Sequence, residues 1–131
     1  MAVLIDTSVL VNDERRGTQV EAAVGDEDRA ISVVTASELL HGVHRAVDAT
    51  VRMRRLAYVE RVLGRLEPLP ISMHVARAHA EIWARLEEAG SLIGSHDLWI
   101  AATALAHGMR VATVNVRHFE RVPGLEVLAV A

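Results

Sequence analysis

The sequence contains no cysteine and no lysine, and aromatic residues make up only 3% of it. Without cysteine the chain forms no disulfide bond and offers no thiolate to a metal ion. So few aromatic rings make a poor platform for stacking nucleic-acid bases. Long apolar runs are also missing, which excludes a membrane span or a secretion signal. We therefore expect a protein of the cytoplasm without a membrane partner.

Hydrophobic residues nevertheless account for 51% of the 131 residues. With so few aromatic residues, the core has to be built from alanine, valine, leucine and isoleucine, a composition that suits helices packed on a parallel sheet. A chain of this length buries about two-thirds of the surface that its unfolded form exposes. We expect one α/β domain that comprises residues 1–131.

Strand-like and helix-like patterns alternate along the chain. Short aliphatic runs predict strands over 2–5, 30–34, 66–71, 110–114 and 125–130. Helical spacing and capping residues predict helices over 8–14, from Thr18 to about Gly25, from 35 onward, and over 49–63, 73–88 and 96–107. Ser72 and Ser95 are the expected N-caps of the last two helices, and Gly108 is expected just beyond the final one.

An acidic residue occurs at three transitions from strand to helix, namely Asp6, Glu38 and Asp97, and Asn115 follows a fourth strand. Because the carboxyl ends of parallel strands lie at one edge of a sheet, these side chains are expected to converge. Clustered carboxylates repel one another, and Mg²⁺ or Mn²⁺ relieves that repulsion by accepting oxygen ligands. The all-oxygen set disfavours zinc.

Two of the acids also have purely structural interpretations. Thr35 and Glu38 match the S/T-x-x-E pattern of a capping box, in which Glu38 folds back onto a backbone amide. Asp97 stands in the first turn of a predicted helix, where an acid stabilises the helix dipole by about 0.3–1 kcal/mol. Neither alternative is excluded by the individual motif.

The net charge of −3 argues against a broadly basic protein, but the arginines are unevenly distributed. Six of them fall within about twenty residues that carry only two acids: Arg45, Arg52, Arg54, Arg55, Arg61 and Arg65. Such a cluster is either a solvated helix face or a local surface for phosphate groups.

Several stretches, in this order and spacing, resemble the PIN domain, and among PIN domains the VapC-type toxins of toxin–antitoxin pairs. They are VLIDTS at 3–8, SVVTASEL at 32–39 with Gly42, IGSHDLWIAA at 93–102, and TVNVRHF at 113–119 with VPGL at 122–125. The resemblance covers nearly the whole chain. It implies a PIN-like three-layer α/β domain in which helices flank a central parallel sheet.

The resemblance also implies an activity, a metal-dependent endoribonuclease in which Asp6, Glu38 and Asp97 are catalytic and hold Mg²⁺ or Mn²⁺. Ser8 and Asn115 are expected to orient ligands or the phosphate. Many relatives place a further acid near Asn115, so its amide puts a stable second metal site in doubt.

The implied partners are an RNA substrate, a second copy of the chain in a homodimer, and a cognate VapB-type antitoxin in a toxin–antitoxin hetero-oligomer. Arginines of the cluster are expected to contact the RNA backbone, specifically Arg52, Arg54, Arg55 and Arg61. The alternative is a non-catalytic PIN-like module that binds RNA or a protein partner.

Overall fold

The structure, a computed structural model, describes residues 2–17 and 19–130. Thr18, the predicted cap of the second helix, lies outside the described residues. The elements follow one another as β1 Val3–Ile5, α1 Thr7–Arg16, α2 Gln19–Val24, β2 Arg29–Ser32, α3 Val33–Arg45, α4 Ala49–Arg65, β3 Pro68–Leu69, α5 Met73–Glu88, α6 Ser95–Ala106, β4 Arg110–Thr113, α7 Val116–Glu120 and β5 Val127–Ala129.

The strands form one sheet in the order β3-β2-β1-β4-β5, and all neighbouring strands are parallel. The central strand β1 is fully buried. In its register with β4, Ile5 pairs with Ala112, and the Asp6 amide donates to the Ala112 carbonyl at 2.9 Å. This register places Asp6, the first residue beyond β1, next to the end of β4.

Two hydrophobic clusters cover the two faces of the sheet. Val3 and Ile5 join buried residues of α1, α3 and α4, whereas Leu4 joins those of α5 and α6. This alternation follows from the period of two along a strand. The predicted three-layer α/β architecture with a central parallel sheet is therefore confirmed. Within the described ranges, no helix combines the length and the apolar character needed to span a bilayer.

The start of α3 corrects the capping-box interpretation of Glu38. The N-cap is Ser32, whose hydroxyl accepts from the Thr35 amide at 3.0 Å, and the helix begins at Val33. Thr35 is therefore the third helical residue and Glu38 lies in the second turn, too far along the helix to reach the cap amide. The Glu38 carboxylate is left available for contacts with other elements.

The other helix ends largely follow the sequence signals. Ser72 caps α5 by accepting from the Val75 amide at 3.2 Å, as predicted. The cap of α6 is Gly94, so the prediction of Ser95 was wrong by one residue, but Asp97 does lie in the first turn. Gly108 has φ of 65°, in the left-handed region expected just beyond the helix.

The helical spacing of apolar residues in α4 predicts that Leu56, Val59 and Val62 face inward, and at Leu56 this prediction is wrong. Leu56 is 42% exposed, whereas Val59 and Val62 are buried as predicted and Tyr58 is buried beside them. Tyr58 takes the inward position because its hydroxyl donates to Asp13 Oδ2 at 2.8 Å, which anchors the helix to α1. A polar tip with a partner lets an aromatic residue replace an aliphatic one.

His79 of α5 packs where α5 meets α6. Its imidazole stacks on the ring of Trp99, with centroids 3.5 Å apart and planes inclined by 12°. Burial lowers the pKa of His79 below its ordinary value. His79 is therefore a packing residue of the interface between the two helices.

The free energy of unfolding should decrease as the pH falls below about 6.5, because the unfolded chain takes up the proton that buried His79 resists. The variant His79→Phe keeps a ring on Trp99 but cannot titrate, so its stability should change less between pH 7 and pH 5. Urea unfolding at several pH values measures this, with exposed His74→Gln as the control. Equal pH slopes for His79→Phe and the natural chain would contradict the assignment.

Candidate active site

Asp6 forms the centre of a polar site at the carboxyl edge of the sheet. It links β1 to α1 and is only 2% exposed. Its Oδ2 atom accepts hydrogen bonds from the Ser8 hydroxyl at 2.6 Å and from the Thr113 hydroxyl at 2.8 Å. The prediction that Ser8 orients a site residue gains a specific contact. Thr113 was not predicted.

Both hydroxyls are oriented by the backbone of the segment that follows β4. The Val114 amide donates to Ser8 Oγ at 3.1 Å, and the Asn115 amide donates to Thr113 Oγ1 at 2.9 Å. Because each oxygen accepts from an amide, its own hydrogen remains available for Asp6. The Asp6 carboxylate is thereby fixed by the neighbouring Ser8 of α1 and by Thr113 of β4, which is 107 residues away in sequence.

The environment disfavours the ionised form of Asp6. Burial is the main cause that raises its pKa, the negative charge of Asp97 adds to this, and the hydrogen bonds from Ser8 and Thr113 oppose it. The ion pairs found among the described residues do not include Asp6. A buried carboxylate without a cationic partner is costly, and a bound cation would remove the cost.

Glu38 approaches the site from α3. Its Oε1 atom accepts from the Thr7 hydroxyl at 2.7 Å, and its Oε2 atom lies 3.3 Å from Nδ1 of His96. The Thr7 hydroxyl also lies 3.0 Å from the hydroxyl of Thr35, which is fully buried. Glu38 is therefore held by α1 and by the first turn of α6, two elements that are distant in sequence.

Asp97 approaches from the first turn of α6, as predicted, but α6 follows α5 and a loop, so its assignment to a transition from strand to helix was wrong. Its Oδ2 atom lies 2.8 Å from Nδ1 of His118, a half-exposed residue of α7. An acid that merely complemented the helix dipole would need no such partner. The contact fixes the carboxylate in the neighbourhood of Asp6, where its charge acts on the pKa of that residue.

The structure brings the predicted acids together only in part. Asp6 and Asp97 share one electrostatic neighbourhood, whereas Glu38 is turned toward Thr7 and His96. Across residues 2–17 and 19–130, no three histidine, aspartate or glutamate side chains form a group that could hold a metal ion. The donor chemistry at Asp6 and Asp97 is nevertheless all carboxylate oxygen, which fits Mg²⁺ or Mn²⁺ better than zinc.

Asn115 contributes through its backbone. Its amide orients Thr113, while its side chain is exposed and makes no capping hydrogen bond to α7. A role for its side chain toward a ligand or a phosphate stays a prediction.

The four predicted RNA-binding arginines of α4 point to different places. Arg52 donates twice to the Ala46 carbonyl and Arg55 donates to the Gly42 carbonyl at 3.1 Å, so both fasten α4 to the end of α3. Arg54 lies 3.7 Å from Glu14, and Arg61 lies 5.8 Å from the ring of Tyr58. Their joint action on RNA stays a prediction.

Local sequence carried little signal for the remaining partners of the acids. The tertiary structure is needed to identify three of these partners, Thr113, His96 and His118. Thr113 has one usable signal, because it ends the strand that neighbours β1 and so must lie beside Asp6.

Comparison with known proteins places this arrangement in context. A family model described as PIN domain matches residues 3–125. Ribonuclease VapC1 of Rickettsia felis is 36% identical over 131 residues, which is 100% of this chain and 98% of that relative.

Two solved structures extend the comparison to the fold. One is VapBC-5 of Mycobacterium tuberculosis, a member of the VapBC family of toxin–antitoxin systems, with a TM-score of 0.83 and 34% identity over 98% of each chain. The other is VapBC2 of Rickettsia felis bound to a DNA fragment from its promoter, with a TM-score of 0.86 and 26% identity over 97% of each chain.

Proposed function

This chain belongs to the PIN-domain family, among the relatives of the VapC ribonucleases, and from that premise we propose that it is an endoribonuclease toxin. It acts as one domain of residues 1–131, and a cognate VapB-type antitoxin neutralises it. The observation that carries the proposal is Asp6, a buried carboxylate that two hydroxyls hold beside Asp97 without a cationic partner among the described residues.

The proposed cofactor is Mg²⁺, and Mn²⁺ is expected to support activity as well. Asp6 and Asp97 would hold the ion, and Glu38 would contribute either directly or through a water molecule. When bound, such an ion polarises the scissile phosphate and lowers the pKa of a water ligand.

The protein supplies the orientation of the three acids. Ser8 and Thr113 fix one oxygen of Asp6. Thr7 and His96 hold the two oxygens of Glu38, and His118 contacts Asp97. Residues that orient metal ligands in this way commonly affect metal affinity or activity by 10–100-fold when they are replaced.

The proposed assembly is a homodimer of this chain that joins its antitoxin in a hetero-oligomer in the cytoplasm. The solved relatives named VapBC, some of them bound to DNA, support the antitoxin as a partner. Light scattering of the purified chain, alone and with a co-expressed antitoxin, measures both association states.

The decisive experiment is RNA cleavage by the purified chain with Mg²⁺, with Mn²⁺ and with a chelator, followed by sequencing of the new RNA ends. We expect cuts that need the metal and that are absent with Asp97→Asn. Thermal unfolding with increasing Mn²⁺ tests binding separately, because a ligand that binds the folded state raises the melting temperature. Absence of both cleavage and the thermal shift would favour the non-catalytic binding module.

The variant Asn115→Asp should lower the metal concentration for half-maximal cleavage by about tenfold, equivalent to about 1.4 kcal/mol. The added carboxylate attracts the doubly charged ion more than it repels the other acids once the ion is bound. Cleavage measured against Mg²⁺ and Mn²⁺ concentration tests this, with binding stoichiometry alongside. Asn115→Ser is the neutral control. A curve unchanged or shifted to higher concentration would show that position 115 does not contact the ion.

A further inference from the structure

A groove of about 620 Å³ leads away from the candidate active site between α1, α3 and α4. Thr7, Glu38 and His96 line it where it meets the acids. Aliphatic side chains line its walls: Leu10, Val11, Leu39 and Val59. The groove is therefore continuous with the Glu38 side of the site, and part of its wall is aliphatic.

The direction of the groove follows from the topology. Helices α1 and α3 both begin at the carboxyl ends of neighbouring parallel strands, so both run away from the acidic edge. Arg15 is eight residues beyond Thr7 and Arg45 is seven residues beyond Glu38. At 1.5 Å per helical residue, each arginine lies about 10–12 Å along its helix from the site.

Arg15 and Arg45 line this groove together with Arg55. Both Arg15 and Arg45 are exposed, and neither makes a side-chain hydrogen bond or ion pair with another residue of the described ranges. Arg55 uses one nitrogen for the Gly42 carbonyl. Glu14 also lines the groove and lies 3.7 Å from Arg54, so the groove holds three arginines against the two acids Glu14 and Glu38.

A simpler explanation is that Arg15 and Arg45 only complement the dipoles of the helices whose last turns they occupy. That effect is worth about 0.3–1 kcal/mol and needs no common cavity. It does not explain why arginines of three different helices, α1, α3 and α4, line one groove. Guanidinium groups match the geometry of a phosphate, with two parallel hydrogen bonds.

We propose that this groove holds the RNA strand next to the scissile bond. Arg15, Arg45 and Arg55 each bind one phosphate that flanks the scissile bond, and the aliphatic walls contact the sugars. The proposal rests on the proposed function and revises the arginine set expected from the sequence, because only Arg55 belongs to both. Phosphates are common to all RNA sequences, so the groove contributes affinity and register without selecting bases.

The test is binding of two unrelated single-stranded RNAs at several salt concentrations, in the non-cleaving Asp6→Asn background. The double variant carries both Arg15→Gln and Arg45→Gln. We compare it with the Asp6→Asn parent and with the control variant Arg77→Gln. Arg77 is an exposed arginine of α5, on the other side of the sheet. Each lost phosphate contact should reduce the slope of log affinity against log salt by about 0.7, and the double variant by about 1.4, for both RNAs.

Circular dichroism melting checks the fold of each variant, and Arg45→Gln alone, with an expected slope change of about 0.7, serves if the double variant does not fold. An unchanged slope overturns the proposal. The proposal is also overturned if the double variant no longer binds the antitoxin while the salt dependence of its RNA affinity is unchanged. The groove would then be a binding site for the antitoxin. A chain that cleaves no RNA but shows the expected slopes refutes the proposed function and supports the groove.

Discussion

Replacing Asp6 with asparagine should reduce RNA cleavage by at least about 100-fold. Residues that merely orient a metal ligand account for 10–100-fold effects, and a ligand should account for more. Asparagine keeps the size of the side chain and one carbonyl oxygen, which can still accept from Ser8 and Thr113. The loss should therefore come from the missing charge and not from a disturbed fold.

The same variant should melt at a higher temperature than the natural chain when no divalent ion is present. The pKa of Asp6 is raised in the folded state, so ionising it costs stability. That cost is absent below the ordinary pKa of 3.8, and it grows as the pH rises from there to the folded pKa. A neutral amide removes the cost at every pH.

Differential scanning calorimetry with and without Mn²⁺ measures both consequences. The natural chain should gain stability with Mn²⁺, and Asp6→Asn should gain little. Asp26→Asn, which removes an exposed carboxylate far from the site, controls for the change in net charge. A variant that melts lower without metal would identify Asp6 as a structural anchor, and retained cleavage would remove it from the chemistry.

The sequence predicted the frame of this site because the frame depends on local patterns. The apolar run before Asp6, the glycine break before α6 and the cap at Ser72 are signals within a few residues. They placed Asp6 at the end of a buried parallel strand and Asp97 in the first turn of a helix, although that helix follows α5 and not a strand. The topology of the strands determines where the site lies. The alternation of strand and helix patterns in the sequence predicts that topology.

The contacts that orient the acids could not be predicted in the same way. The Thr113 hydroxyl is 107 residues from Asp6, and the Thr7 hydroxyl is 31 residues from Glu38. The capping-box motif at Thr35 and Glu38 predicted that Glu38 binds a backbone amide nearby. Helix α3 begins at Val33, however, so Thr35 is inside the helix and the capping box does not form. Long-range packing decided the orientation where local propensity offered a competing solution.

The distribution of arginines shows the same distinction. Their number and spacing in α4 indicated a positive face, but Arg52 and Arg54 bind groups of the protein itself. Arg15 of α1 is isolated from that cluster in sequence, yet it lines the same groove as Arg55. A charged surface that is assembled from several helices leaves no run of like residues in the sequence.

The variant Thr113→Val should lower cleavage by about 10–100-fold, because it removes one of the two hydroxyls that fix Asp6 while keeping nearly the same shape. The side chain is fully buried, so no water replaces the lost donor. The Asn115 amide also loses its acceptor, which should cost about 1–3 kcal/mol of stability.

Thr113→Ser is the matched control, because it keeps the hydroxyl and loses only the methyl group, and we expect it to restore most of the activity. Initial cleavage rates at several Mn²⁺ concentrations, measured well below the melting temperature of each variant, separate poor orientation from unfolding. If Asp6 is misoriented, the valine variant needs more Mn²⁺ for half-maximal cleavage, and the serine variant does not. Full activity of Thr113→Val at the natural Mn²⁺ requirement would mean that the Ser8 hydroxyl alone is sufficient to hold Asp6 in its working position.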